Sequence, residues 1–76
     1  MFFSIKKKYK YYINLNVQRK TSQHEIHRED CRYVPKNGAL IGEFEKCQDA
    51  VMTAKKAYSR WIDDGCYFCC RECNTG

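Results

Sequence analysis

The chain has 76 residues, six of them cysteine, and a formal net charge of +5. A chain this short makes one domain, residues 1–76, with a marginal core: only about 60% of the unfolded surface is buried at this size, so a metal, disulfide or partner staple is expected. No run approaches the roughly 18 apolar residues of a membrane span. The stretch Met1–Ile5 is too short for a secretory leader, and its lysines follow rather than precede it. The chain therefore reads as cytoplasmic, where thiols stay reduced and metal is favoured over disulfides. The charge is uneven. Residues 1–20 carry six basic side chains and no acid, whereas residues 21–76 carry eight basic and nine acidic ones. A basic first segment on a near-neutral body suggests a polyanionic partner. The same pattern also suits a charged edge that keeps a small protein unpaired.

Residues 1–8 read as a flexible basic lead-in. From Tyr9 to Val17 the odd positions are Tyr9, Tyr11, Ile13, Leu15 and Val17, and the even ones are mostly polar. That alternation predicts a half-buried strand. Arg19–Gln23 is turn-like, and His24–His27 is a second short strand pairing back on the first. Arg28-Glu29-Asp30 makes a polar corner before Cys31, and Tyr33 and Val34 are expected in the core. Pro35-Lys36-Asn37-Gly38 has turn chemistry. Leu40–Phe44 is a third strand, with Gly42 its weak point. Cys47, Ala50, Val51, Ala54, Tyr58 and Trp61 recur at three- and four-residue steps, which predicts a helix over 47–61. Asp63-Asp64-Gly65 would end it, with Gly65 as a left-handed cap. The expected fold is α+β: a three-stranded antiparallel sheet, one helix across it and a C-terminal cysteine knuckle.

That knuckle, Cys66-Tyr67-Phe68-Cys69-Cys70-Arg71-Glu72-Cys73, holds two successive C-x-x-C pairs. A C-x-x-C turn aims two thiolates at one point, as a tetrahedral soft-metal site requires. His27-x-x-x-Cys31 lies ahead of the helix and supplies two more donors, so two knuckles can clamp one ion. Cys66/Cys69 and Cys70/Cys73 share one spacing, and the spacing alone does not choose between them. His24-Glu25-Ile26-His27 is not a metalloprotease motif, because only one residue separates Glu25 from His27 and a strand turns the two histidines opposite ways. A redox C-x-x-C starts a helix, whereas this one follows it. Cys47 stands at the helix start on its inner face, where a small buried hydrophobe is expected.

The layout resembles the metal-binding domain of the Ada DNA-repair protein family over about residues 25–70. His27-Arg28-Glu29-Asp30-Cys31 stands at that family's first motif, Phe44 and Asp49-Ala50 at its strand and helix, and Gly65-Cys66-Tyr67-Phe68-Cys69 at its last. The resemblance implies one structural zinc held by His27, Cys31, Cys66 and Cys69, and an affinity for DNA. The family's methyl-accepting cysteine is replaced here by His27, so the repair activity is not implied. Cys47, Cys70 and Cys73 lie outside the pattern. The chain also resembles small bacterial proteins with His-Glu-x-His, Cys-x-x-Cys-Cys-x-x-Cys and a final His, where Asn74 stands here; that likeness implies no activity.

The expected function is non-enzymatic: a zinc-stabilised module contacting nucleic acid through Lys6, Lys7, Lys8, Lys10 and Arg19, with Cys70 and Cys73 as reserve ligands. The alternative is a protein-interaction or inhibitor module, for example in phage–host conflict, stapled by metal or by disulfides. Phe2, Phe3, Tyr12 and Tyr67 would then be its aromatic anchors.

Overall fold

Alternation builds the first strand as expected, but the strand stops early. The computed structural model describes residues 7–17 and 22–75. Strand β1 spans Tyr9–Asn14, with Tyr11 and Ile13 buried. The alternating pattern runs on to Val17, yet Leu15 and Val17 are 38% and 49% exposed. The cause is local. The Asn14 side-chain oxygen accepts the Asn16 backbone N–H at 2.9 Å, and such an Asx turn competes with the sheet ladder.

Strand β2, Gln23–Arg28, pairs antiparallel with β1 and sets Ile13 opposite Ile26. Both are fully buried, and each such burial contributes roughly 1.5–3 kcal/mol. Strand β3, Gly38–Phe44, pairs antiparallel with the other edge of β1. Tyr11 faces Gly42 and Tyr12 faces Leu40, so Ile41 is an extra residue and the register shifts there. Gly42 takes φ +154, and a side chain at that position would meet the Phe44 ring at 3.0 Å. The expected weak point is thus a bulge.

Helix α1 spans Cys47–Ala57 and buries Cys47, Ala50, Val51 and Ala54. These join Tyr11, Ile13, Ile26 and Cys70 in one core. The helix stops short of Trp61. Tyr58 caps it, donating its N–H to Ala54, and the chain turns so that the Trp61 ring stacks between Tyr58, at 4.5 Å, and His24, at 3.8 Å. Tyr33 is also not core, being 48% exposed.

The largest correction concerns Asp63-Asp64-Gly65. These residues are not a turn with a left-handed cap. They belong to a fourth strand, β4, Ile62–Gly65, which pairs parallel with β2. The sheet is therefore four-stranded and mixed, ordered β3-β1-β2-β4, rather than three-stranded and antiparallel. A four-residue strand with two aspartates shows no apolar alternation, so periodicity misses it. It is nevertheless a constrained strand. Any Cβ on Gly65 would lie 2.6 Å from the Cys70 carbonyl and 2.7 Å from the Cys73 side chain. Only glycine lets the knuckle fold back onto β4. The chain ends in a 3-10 turn at Arg71–Cys73.

Candidate metal centre

The parallel pairing of β2 and β4 creates the site. Because Ile26 stands beside Gly65, the next residues, His27 still within β2 and Cys66 just past the end of β4, stand side by side. The Cys66 N–H donates to the Ile26 carbonyl at 3.0 Å. After His27 the chain makes the expected corner, where Cys31 donates its N–H to the Arg28 carbonyl at 2.9 Å and Arg28 pairs with Asp30. That corner returns Cys31 to His27. On the other limb, Cys70 donates its N–H to the Cys66 carbonyl at 2.8 Å, and this turn carries Cys69 back over Cys66.

The donor atoms of His27, Cys31, Cys66 and Cys69 all lie within 4.8 Å of one another. Cys31 Sγ is 3.8 Å from His27 Nδ1 and 4.0 Å from Cys66 Sγ. Four ligands around a tetrahedral zinc, with ordinary Zn–S and Zn–N lengths, stand about 3.6–3.8 Å apart. The two Cys31 contacts are within a few tenths of an ångström of that spacing, and the whole set would contract by about 1 Å at most to close on an ion. His27, Cys31 and Cys66 are buried and Cys69 is partly so. Four protein donors leave no open coordination position. That is the arrangement of a structural site, not of a catalytic one that activates water.

Charge is handled locally. Three thiolates and a neutral imidazole around a divalent ion carry a net −1. The Arg28 backbone N–H donates to Cys69 Sγ at 3.3 Å, and the Phe68 N–H to Cys66 Sγ at 3.4 Å. Both stabilise the thiolate form. On the imidazole, Nδ1 faces the sulfurs and Nε2 faces Glu25 Oε1 at 3.7 Å. A carboxylate behind a ligating histidine fixes its ring and tautomer. Without metal, burial pushes the Cys31 thiol up to about 12 and raises Cys66. Cys69 is held well below the usual thiol range, chiefly by the Cys70 thiol donating to it, with His27 and the Arg28 N–H adding. Metal binding to these thiols would release protons.

The other sequence candidates fall elsewhere. Cys70 is fully buried in the hydrophobic core, and Cys73 lies 2.8 Å from Cys47. The structure thus brings Cys66 and Cys69 to His27 and Cys31, and leaves Cys70 and Cys73 outside that group. The Cys47 thiol is raised, first by burial and then by Cys73 and Glu72, as its inner-face position predicts. His24 is not a donor here. It points to the helix side, with Nδ1 2.8 Å from the Asn14 carbonyl. Lys7, Lys8 and Lys10 are exposed at the start of β1; Lys6 and Arg19 lie outside the described residues, as do Phe2 and Phe3.

Sequence reasoning missed two features. One is Glu25, although its position two residues from His27 on a strand places both on one face. The other is an aromatic rim, of which only Tyr67 is expected from the sequence as an exposed anchor. Tyr33, Tyr67 and Phe68 are 48%, 50% and 67% exposed. Phe68 packs against Tyr33 at 4.7 Å and edge-on against Tyr67 at 5.3 Å. The Arg32 and Arg71 guanidiniums lie over Tyr33 and Tyr67 at 5.6 and 5.0 Å. These rings wall a cavity of about 420 Å³ whose other side carries Asn14, Asn16, Gln23 and Glu25. No signal in the sequence links positions 33 and 68 except that each lies beside a metal-binding pair. No helix among the described residues is long and apolar enough to cross a membrane. Comparison with known proteins gives no match to any family model, curated protein or solved structure.

Proposed function

We propose that the protein is a zinc-stabilised module that binds single-stranded nucleic acid. The observation that carries this reading is the exposed rim of Tyr33, Phe68 and Tyr67 flanked by Arg32 and Arg71. Unpaired bases stack on such rings, and guanidiniums beside them meet the phosphates. The amides of Asn14 and Asn16 line the adjoining cavity and make it polar beside the rings. Lys7 and Lys8, exposed just before β1, and Lys10, exposed on it, add phosphate contacts, with Lys6 and Arg19 from the same basic segment. The His27, Cys31, Cys66 and Cys69 set suits zinc by its sulfur-rich donors and closed tetrahedral spacing. The ion's role is to hold the two limbs that carry the rim. The same two-before, two-after order of donors underlies the resemblance to the Ada metal-binding domain.

Fluorescence anisotropy with a labelled oligonucleotide tests it. Binding through three or four phosphates should weaken roughly 20- to 50-fold between 50 and 200 mM salt. F68A with Y67A should weaken it further without loss of zinc. No binding of single-stranded DNA or RNA at low salt would overturn the reading. The second reading, a protein-interaction module, draws on Phe68 itself, which is two-thirds exposed and suits an aromatic anchor. A stoichiometric protein partner that survives nuclease treatment would favour it.

A further inference from the structure

The metal group leaves three cysteines unused, and two of them touch. Cys47 Sγ and Cys73 Sγ stand 2.8 Å apart, and both are free thiols. Two thiolates on one tetrahedral zinc stand about 3.8 Å apart, and the bonded distance of a disulfide is about 2.04 Å. The pair is too close to share an ion and needs only a small side-chain rotation to bond. The two residues come from separate elements, the start of α1 and the last residue of the 3-10 turn, so a bond between them would tie the helix to the knuckle.

Access to the two sulfurs differs. Cys47 is 1% exposed. Cys73 is partly exposed and opens on a cavity of about 300 Å³ lined by Gln48, Val51, Met52, Lys55 and Thr75. Behind the pair, Cys47 Sγ donates to Glu72 Oε1 at 3.0 Å, and Glu72 is exposed to solvent.

We propose that Cys47 and Cys73 are a thiol–disulfide site, closed by a low-molecular-weight disulfide, while the metal group keeps its ion. The Cys73 thiolate attacks one sulfur of the small disulfide RSSR. A mixed disulfide forms on Cys73 and one RS⁻ leaves. Cys47 then attacks the Cys73 sulfur, and its proton passes to the departing thiolate. The Cys47–Cys73 bond forms and the second RS⁻ leaves. Two protein thiols are oxidised, one RSSR is reduced to two thiols, and the two protein protons end on them. The site does not depend on nucleic-acid binding, and zinc is read separately in its test.

Oxidised glutathione is the probe. The zinc-loaded full chain is incubated in a glutathione redox series, free thiols are alkylated, and intact mass, zinc content and cross-linked peptides are measured on each sample. The expected product has lost two hydrogens, retains one zinc, and carries a single Cys47–Cys73 link. C47A should arrest at a glutathione adduct on Cys73, and C73A should leave Cys47 unmodified; retained zinc in both shows that they fold. Zinc release before any Cys47–Cys73 link would overturn the proposal. So would a reduced protein that binds two metal ions with all six thiols protected, which would make Cys47, Cys70 and Cys73 a second metal site. A wild-type glutathione adduct that never resolves would overturn it as well.

Discussion

The protein holds two groups of sulfur a few residues apart in sequence, and they are spaced differently. On the His27 face of the β2–β4 edge, Cys31 and Cys66 stand 4.0 Å apart with an imidazole between the limbs. On the helix side, Cys47 and Cys73 stand 2.8 Å apart, with Cys70 buried beside them in the core. The first spacing leaves room for an ion and the second does not. The backbone explains the contrast. The first group is set by the parallel pair β2 and β4, which holds His27 beside Cys66, and by one turn after each strand that returns Cys31 and Cys69 to them. The second pair is pressed together where a helix start meets a tight turn. The same residue type thus serves two chemistries, and the connecting element, Cys69-Cys70, belongs to one on each side.

The contrast breaks most sharply when the ion is withdrawn. Zinc binding of about 10–16 kcal/mol becomes folding free energy in small domains, which is as large as the 5–15 kcal/mol net stability typical of proteins. C31S or C66S, or excess chelator on the wild type, should abolish the far-UV signature of the β-sheet, as followed by circular dichroism with metal analysis. C47A removes a sulfur of equal burial from the other group and should leave both zinc and sheet in place. Equal loss from C31S and C47A would erase the distinction.

A second break comes from the residue that both groups share. G65A would drive a methyl group within 2.6 Å of the Cys70 carbonyl and 2.7 Å of Cys73. Backbone atoms cannot yield as side-chain ends do, so the knuckle must lift off β4. A cost of about 3 kcal/mol or more, in the overpacking range, should appear in urea denaturation. Zinc affinity and the reactivity of Cys73 should change together. If only one changes, the two groups are mechanically separate.

How far these features can be read from the chain follows from their range. The four donors are legible because each half is a local spacing, His27-x-x-x-Cys31 and Cys66-x-x-Cys69. The choice over Cys70 and Cys73 is not, because it depends on the parallel pairing of β2 with Asp63-Asp64-Gly65, a strand without hydrophobic alternation. The end of β1 was hidden by a side chain: Asn14 takes the Asn16 N–H while Leu15 and Val17 prolong the pattern. The contact of Cys47 with Cys73 joins positions 26 apart, and no periodicity records it.

A subtler test separates the groups through Glu25. Its carboxylate stands behind His27 Nε2 and behind no residue of the helix-side pair. E25Q keeps the shape and removes the charge, so zinc affinity measured against a competing chelator should fall about 10-fold or more. Closure of Cys47–Cys73 in the glutathione series should not move. An unchanged zinc affinity would make Glu25 a bystander.

The smallest effect concerns the two aspartates that precede the knuckle, one for each face. Asp64 accepts from the Thr75 N–H and hydroxyl and from the Asn74 amide. Asp63, turned to the helix side, is buried and neither of its oxygens has a hydrogen-bond partner. Burial raises its pKa, and His24 and Lys55 offset this only in part. A raised carboxylate pKa means that the folded state binds the proton more tightly than the unfolded one. The charged form therefore costs stability above the folded pKa, and that cost fades as pH falls through it. D63N keeps the volume and removes the charge, so it should stabilise the zinc-loaded protein by about 1 kcal/mol at pH 7. The gain over wild type should shrink as pH falls in parallel urea titrations, over the range in which metal analysis shows the zinc retained. D64N replaces one of the two oxygens that three donors share, and should destabilise at the same pH. If both variants shift stability the same way, the two faces of β4 do not differ as the hydrogen bonds indicate.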